Sequence, residues 1–267
     1  MPLHPDVAKL IAGGLPDDLV LVGGQAALYF AAKYAPDEPA LGGLQALTSV
    51  DSDFLGRREH LSFLRERLGV EPQIPPRKGG MLALSLARFP TGAGNAPHIV
   101  ELLGNVRGVR EQEVLRTALV EATGHGPEAR FRIINPVLLL EAKAANVLEL
   151  EQAARNDLGH LWIAAFSTRA YLRHLNRTPE RGRAMVTFCN RVLDLADSHR
   201  GSELLSRFRL DVTQCIPGVE PNDPSIAQFL DKGLPRRMEL IRRRAESEGL
   251  SLGVLLEDAV PKRFSAN

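Results

Sequence analysis

A chain of 267 residues is long enough to bury a sizeable core, as one large domain or two modest ones. Apolar residues make up 44% and charged residues 24%, ordinary values for a globular protein. A formal net charge of +1 excludes whole-molecule attraction to nucleic acid or to a membrane surface, so any such binding must come from a local patch.

The chain opens Met1-Pro2-Leu3-His4-Pro5-Asp6, without the basic start and apolar core of a signal peptide. No apolar run approaches the ~20 residues that a membrane-spanning helix needs. The expectation is a cytoplasmic protein with no membrane partner. Leu19-Val20-Leu21-Val22 reads as a short apolar strand ended by Gly23-Gly24, and Gln25 to Lys33 as an alanine-rich helix. Tyr34 to Leu47, with two prolines and a Gly-Gly pair, reads as an excursion. Val50 to Leu55 alternates as a strand, and Arg58 to Leu68 has helical spacing. Met81 to Phe89 and His98 to Leu103 read as strands of a hairpin joined by a Pro- and Gly-rich loop. Strand content ends near Phe131-Arg132-Ile133-Ile134.

From Pro136 onward the signals are helical. Asn135-Pro136 has the form of an N-cap followed by proline in the first turn, and Thr178-Pro179-Glu180 repeats that start signal. Met185, Phe188, Val192 and Leu195 recur at helical spacing. Cys189 and Cys215 have neither metal-ligand spacing nor a disulfide framework, and suit a reducing compartment as buried, apolar-like residues. Arg242-Arg243-Arg244 reads first as a solvated helix face, with a phosphate-backbone contact as the sharper alternative. The reading is an α+β fold: residues 1–135 form a mixed sheet with flanking helices, and residues 136–267 a mostly helical region closing one side of a cleft.

Chemistry concentrates at Asp51 and Asp53. Strand residues two apart share a face, roughly 7 Å apart. Two carboxylates on one half-buried face repel unless a cation sits between them, and Mg²⁺ is a natural occupant. An isolated Asp-x-Asp is more often a solvated strand face or a turn. Here it follows Val22-Gly23-Gly24-Gln25, a strand entering a helix through two glycines, where backbone N–H groups can approach phosphate oxygens. Glu101 stands alone among apolar residues in His98-Ile99-Val100-Glu101-Leu102-Leu103, either as an edge position facing water or as a third metal ligand. Lys143, by spacing alone, reads as a solvated helical lysine, and Asp157 could cap the helix that follows it.

Val22-Gly23-Gly24-Gln25, Thr48-Ser49-Val50-Asp51-Ser52-Asp53-Phe54 and His98-Ile99-Val100-Glu101-Leu102-Leu103 together resemble the signature of minimal nucleotidyltransferases of the DNA polymerase β-like superfamily. Within it the chain is most similar to the AbiEii-like group, many of which are toxins of bacterial toxin–antitoxin pairs. Glu141-Ala142-Lys143-Ala144 and Arg155-Asn156-Asp157-Leu158 stand in the order of that group's helical elements. The resemblance covers roughly residues 18 to 165. It implies that Asp51, Asp53 and Glu101 bind Mg²⁺, that Gly23 and Gly24, with Gln25 beside them, cradle an NTP, that Lys143 contacts phosphate and that Asp157 belongs to the pocket wall. The implied activity moves a nucleoside monophosphate from an NTP to a hydroxyl of RNA (tRNA) or protein, with an antitoxin as partner. A catalytically inactive nucleotide-binding or protein-interaction protein on the same fold is the alternative.

Overall fold

The computed structural model describes residues 3–36, 38–41, 51–75, 85–91, 98–122, 130–150, 156–178, 181–218 and 224–261. The sheet strands are β1 (Val20–Val22), β2 (Asp51–Leu55), β3 (Ser85–Thr91), β4 (His98–Leu103), β5 (Leu119–Ala122) and β6 (Arg130–Ile133). They form one six-stranded mixed sheet in the order β3-β4-β2-β1-β6-β5. The pairs β1–β6 and β2–β4 are parallel, and the other neighbours are antiparallel. Helices α1 (Pro5–Ala12), α2 (Gly23–Tyr34), α3 (His60–Leu68) and α4 (Glu111–Thr117) accompany the sheet. The rest of the described chain is helical: α5 (Pro136–Glu149), α6 (Asp157–Asn176), α7 (Gly182–Ala196), α8 (His199–Phe208), α9 (Pro224–Gln228), α10 (Leu234–Ser247) and α11 (Leu256–Ala259). This is the α+β class that the sequence predicts.

Local chemistry explains the starts. Asn135 accepts the Val137 N–H at 2.9 Å, and Pro136 occupies the first turn of α5, where a missing N–H does no harm. Thr178 does not open α7. Its hydroxyl donates back to the His174 carbonyl at 3.1 Å, closing α6, while Pro179 and Glu180 lie outside the described residues. The 3₁₀ turn Pro39–Leu41 falls in the expected excursion, of which residues 42–47 lie outside the described residues; so do the start of the Met81 to Phe89 segment and the hairpin loop at 92–97. The sequence reading passed over α4 and β5, which fill the stretch between β4 and β6.

α6 is buried around most of its circumference, with Leu161, Trp162, Ile163, Ala164, Ala165 and Phe166 all in the interior. A helix apolar all round belongs in a core, and α6 packs on α2, α5 and α7. α2 in turn lies against β1 and β2. One apolar cluster therefore runs from Phe54, Phe89 and Phe131 of the sheet through Phe30 to Trp162 and Phe166 of the helical half. The boundary near residue 135 divides secondary structure, and the core crosses it. Cys189 and Cys215 are both buried, and burial pushes the Cys189 thiol up to about 12. No helix among the described residues is long and apolar enough to cross a membrane.

Candidate active site

β-register builds the site. Val22 pairs with Asp53, Asp53 with Glu101, and Glu101 with Arg88, so four strands place one row of residues across the same face. Asp51, two residues earlier and opposite Ile99, shares that face. Above the row lies a cleft of about 460 Å³ whose lining includes Gly23, Asp53, Arg88, Glu101, Asn105, Arg107 and Lys143. The loop after β4 and the helix α5 form its walls.

Gly23 is required where it stands. Its φ is +69°, in the left-handed region, and an added Cβ would sit 1.9 Å from Asp53 Oδ2. The turn into α2 thus brings bare backbone against the carboxylate. The N-cap residue Val22 makes no side-chain cap to α2, and no acidic residue occupies its first turn. Gly24 and Gln25 are buried and lie outside the cleft lining. Gln25 accepts the His4 N–H at 3.0 Å, which ties α2 to the start of the chain.

Asp53 is held well above the carboxylate range, at about 7. Desolvation is the largest cause; Lys143 pulls the value down, while Glu101, Asp51 and Asp157 push it up. Among the described residues no hydrogen-bond or ion-pair partner reaches its carboxylate. Glu101 differs, because Arg88 Nε donates to it at 2.9 Å across the β3–β4 pair. It does not stand on an edge strand: β4 lies between β3 and β2, and the Glu101 side chain is 13% exposed.

Lys143 is not solvated as helical spacing alone suggests. Its side chain is 5% exposed and its ammonium lies 2.9 Å from Asp157, itself 3% exposed. A buried charge needs such a partner, and the pair joins α5 to the first residue of α6. Asp157 lies outside the cleft lining, behind Lys143. The structure therefore brings Gly23, Asp53, Glu101 and Lys143 around one space, with Asp51 on the same sheet face. It adds Arg88, Asn105 and Arg107, which sequence reasoning missed. Arg88 carried a usable signal, a lone cation at an alternating position of an apolar strand, the counterpart of Glu101.

Among the described residues no group of three or more His, Cys, Asp and Glu side chains is drawn together so as to hold a metal ion. The three-carboxylate centre implied by the resemblance is thus not closed: the Glu101 carboxylate is engaged by Arg88. Asp51 and Asp53 supply hard oxygen donors on one face, and the raised Asp53 marks a place where added positive charge is favoured. That donor chemistry fits Mg²⁺. No protein-family model, curated protein or solved structure matches the chain.

Proposed function

We propose that the chain is a Mg²⁺-dependent nucleotidyltransferase that moves a nucleoside monophosphate from an NTP to a hydroxyl of RNA or protein, releasing pyrophosphate. The observation that carries this reading is the in-register row of Val22, Asp53 and Glu101, with the bare Gly23 backbone against Asp53, on the floor of a cleft that Lys143 enters from above. Asp51 and Asp53 would hold Mg²⁺, which supplies charge neutralisation of the triphosphate when bound. Gly23 lines the cleft as bare backbone, and the start of α2 offers N–H groups to phosphate oxygens. Lys143, positioned by Asp157, contributes a positive charge to the same space. Glu101 stands beside Asp53 as an acceptor for the proton of the attacking hydroxyl once Arg88 releases it. In-line displacement of this kind rests on positioning and charge stabilisation, which suits such a set. The sequence resemblance extends the proposal to a toxin whose partner is an antitoxin.

A second reading has its own observation. Lys143–Asp157 and Arg88–Glu101 neutralise two charged groups of the cleft internally. That arrangement suits a protein that binds a nucleotide, or another protein, without turning it over.

The test is incubation of the full chain with each α-labelled NTP, Mg²⁺ and total RNA or protein extract, beside Asp53→Ala. Label transferred by the wild type and lost in Asp53→Ala is expected. Equal transfer by a folded Asp53→Ala protein sinks the mechanism, and NTP binding without transfer moves the assignment to the binding protein.

A further inference from the structure

Three buried polar atoms in the wall of the cleft have no hydrogen-bond partner among the described residues: Ser85 Oγ, Asn105 Oδ1 and Arg107 Nε. All three residues line the cleft. Folded proteins pair nearly all such atoms, so three orphans around one space call for a physical reason. The fold gathers them at one end. Ser85, the first residue of β3, pairs with Leu103, the last of β4, and Asn105 and Arg107 follow directly in the loop.

That end is held firmly. Arg107 Nη1 lies 3.3 Å from Glu149 on α5, and Arg200 of α8 grips the same carboxylate at 2.7 Å. Gly108, with φ +80°, packs so closely on α5 that an added Cβ would meet Ala145 Cβ at 2.6 Å. The Arg107 Nε–H is therefore fixed by contacts made elsewhere. Leu103 and Val106 give this end an apolar lining.

A phosphate does not match this place. Arg107 already spends Nη1 on Glu149, which leaves a single inward N–H rather than a fork for an oxyanion, and the Asn105 carbonyl oxygen presents lone pairs that repel one. A flat ring with a polar edge does match, because the apolar walls take its faces and the orphan atoms take its edge. We infer that this end of the cleft receives the nucleobase, an assignment that rests on the nucleotidyltransferase reading for the class of ligand. Asn105 Oδ1 accepts an amino or ring N–H of the base. Arg107 Nε–H donates to a ring nitrogen or carbonyl, and the Ser85 hydroxyl takes either role. Gly23 and Lys143 remain for the phosphates at the other end.

The experiment is calorimetric titration of the full chain, Asn105→Ala and Ser85→Ala with each of the four NTPs, the four nucleosides and inorganic tripolyphosphate, all with Mg²⁺. Asn105→Ala is expected to weaken the best-bound NTP and its nucleoside about five- to tenfold, the loss of one hydrogen bond, and to leave tripolyphosphate unchanged. Ser85→Ala shifts the same ligands in the same direction. Both variants unfold at or above the wild-type temperature, because each removes a buried atom that has no partner. NTPs bound equally by all three proteins overturn the base subsite and leave the transferase reading standing. Equal weakening of tripolyphosphate overturns it in favour of a phosphate site. Nucleosides bound in the absence of any triphosphate binding support the subsite and sink the transferase reading. A wild type that binds none of these ligands overturns both.

Discussion

The two faces of β2 treat polar side chains in opposite ways. On one face Ser52 is fully buried and its hydroxyl lies 2.7 Å from His98 Nε2. His98 is stacked on His4 at a centroid separation of 3.5 Å, and α2 covers this face through Gln25 and through the Tyr29–Phe131 edge contact. On the other face Asp53, the very next residue, lines the cleft with no hydrogen-bond partner among the described residues. Period-two alternation thus puts a closed polar contact and an open one on adjacent positions of one strand. The closed contact stabilises the fold by being satisfied, and the open one stores unfavourable free energy that a ligand can relieve.

The comparison makes the pH dependence of stability its sharpest test, because the two faces have opposite signs. Asp53 is raised to about 7 by burial, so the folded chain holds a proton there that the unfolded chain has released above about 4. Stability from this group is present at low pH and is lost as pH rises through that window. His98 is lowered to about 4 by burial, then by His4, with Asp6 opposing. The unfolded chain takes up a proton below about 6.5 that the folded chain refuses, so stability from His98 is lost as pH falls. In the wild type the two slopes oppose one another between about pH 4 and 6.5. Asp53→Asn leaves the His98 slope alone. Urea unfolding in chelator is expected to show this variant more stable than wild type at pH 8, by up to about 4 kcal/mol, with no gain at pH 4. Added Mg²⁺ narrows the gap at pH 8, because it stabilises only the wild type. A variant less stable than wild type at pH 8 removes the idea that Asp53 is held in an unfavourable charged state.

Breaking the closed face gives a smaller effect of the opposite sign. Ser52→Ala strips His98 of its buried partner and is expected to destabilise by about 1–3 kcal/mol. Urea unfolding at pH 7 measures it, and a neutral result means that water already satisfies His98.

How much of this was legible depends on whether the cause is local. Asp51 and Asp53 could be placed on one face from strand period alone, and the Asn135-Pro136 start follows from capping chemistry. Lys143 could not be read as buried, because its burial depends on Asp157 arriving fourteen positions later on a second helix. Glu101 is an interior-strand residue only because β3 adds outside β4, a pairing that the apolar pattern suggests without fixing its neighbours. Asn105 and Arg107 sit in a loop whose composition resembles any surface turn. Their importance comes from α5 and α8 closing over them. β5 was missed because Leu119-Val120-Glu121-Ala122 is short and its Glu121 is buried by Tyr29 and Lys33, distant partners on α2.

The smallest expected effect concerns Arg88, and it separates stability from function on the open face. The Arg88 side chain is 54% exposed while Glu101 is 13% exposed, so the pair lies near water on one side. Such an ion pair is worth about 0–1 kcal/mol, and Arg88→Ala should change unfolding by no more than that. Its effect on the cleft is different in kind. Glu101 helps to hold the Asp53 value up, and Arg88 partly balances Glu101, so removal of Arg88 adds uncompensated negative charge beside Asp53. If the cleft takes a dication, Arg88→Ala binds Mg²⁺ more tightly than wild type, by calorimetry at pH 8, with stability nearly unchanged. If Arg88 instead serves the nucleotide's phosphates directly, the same variant leaves Mg²⁺ binding alone and weakens tripolyphosphate. The two outcomes assign the Glu101 carboxylate either to the metal or to a structural ion pair on the floor of the cleft.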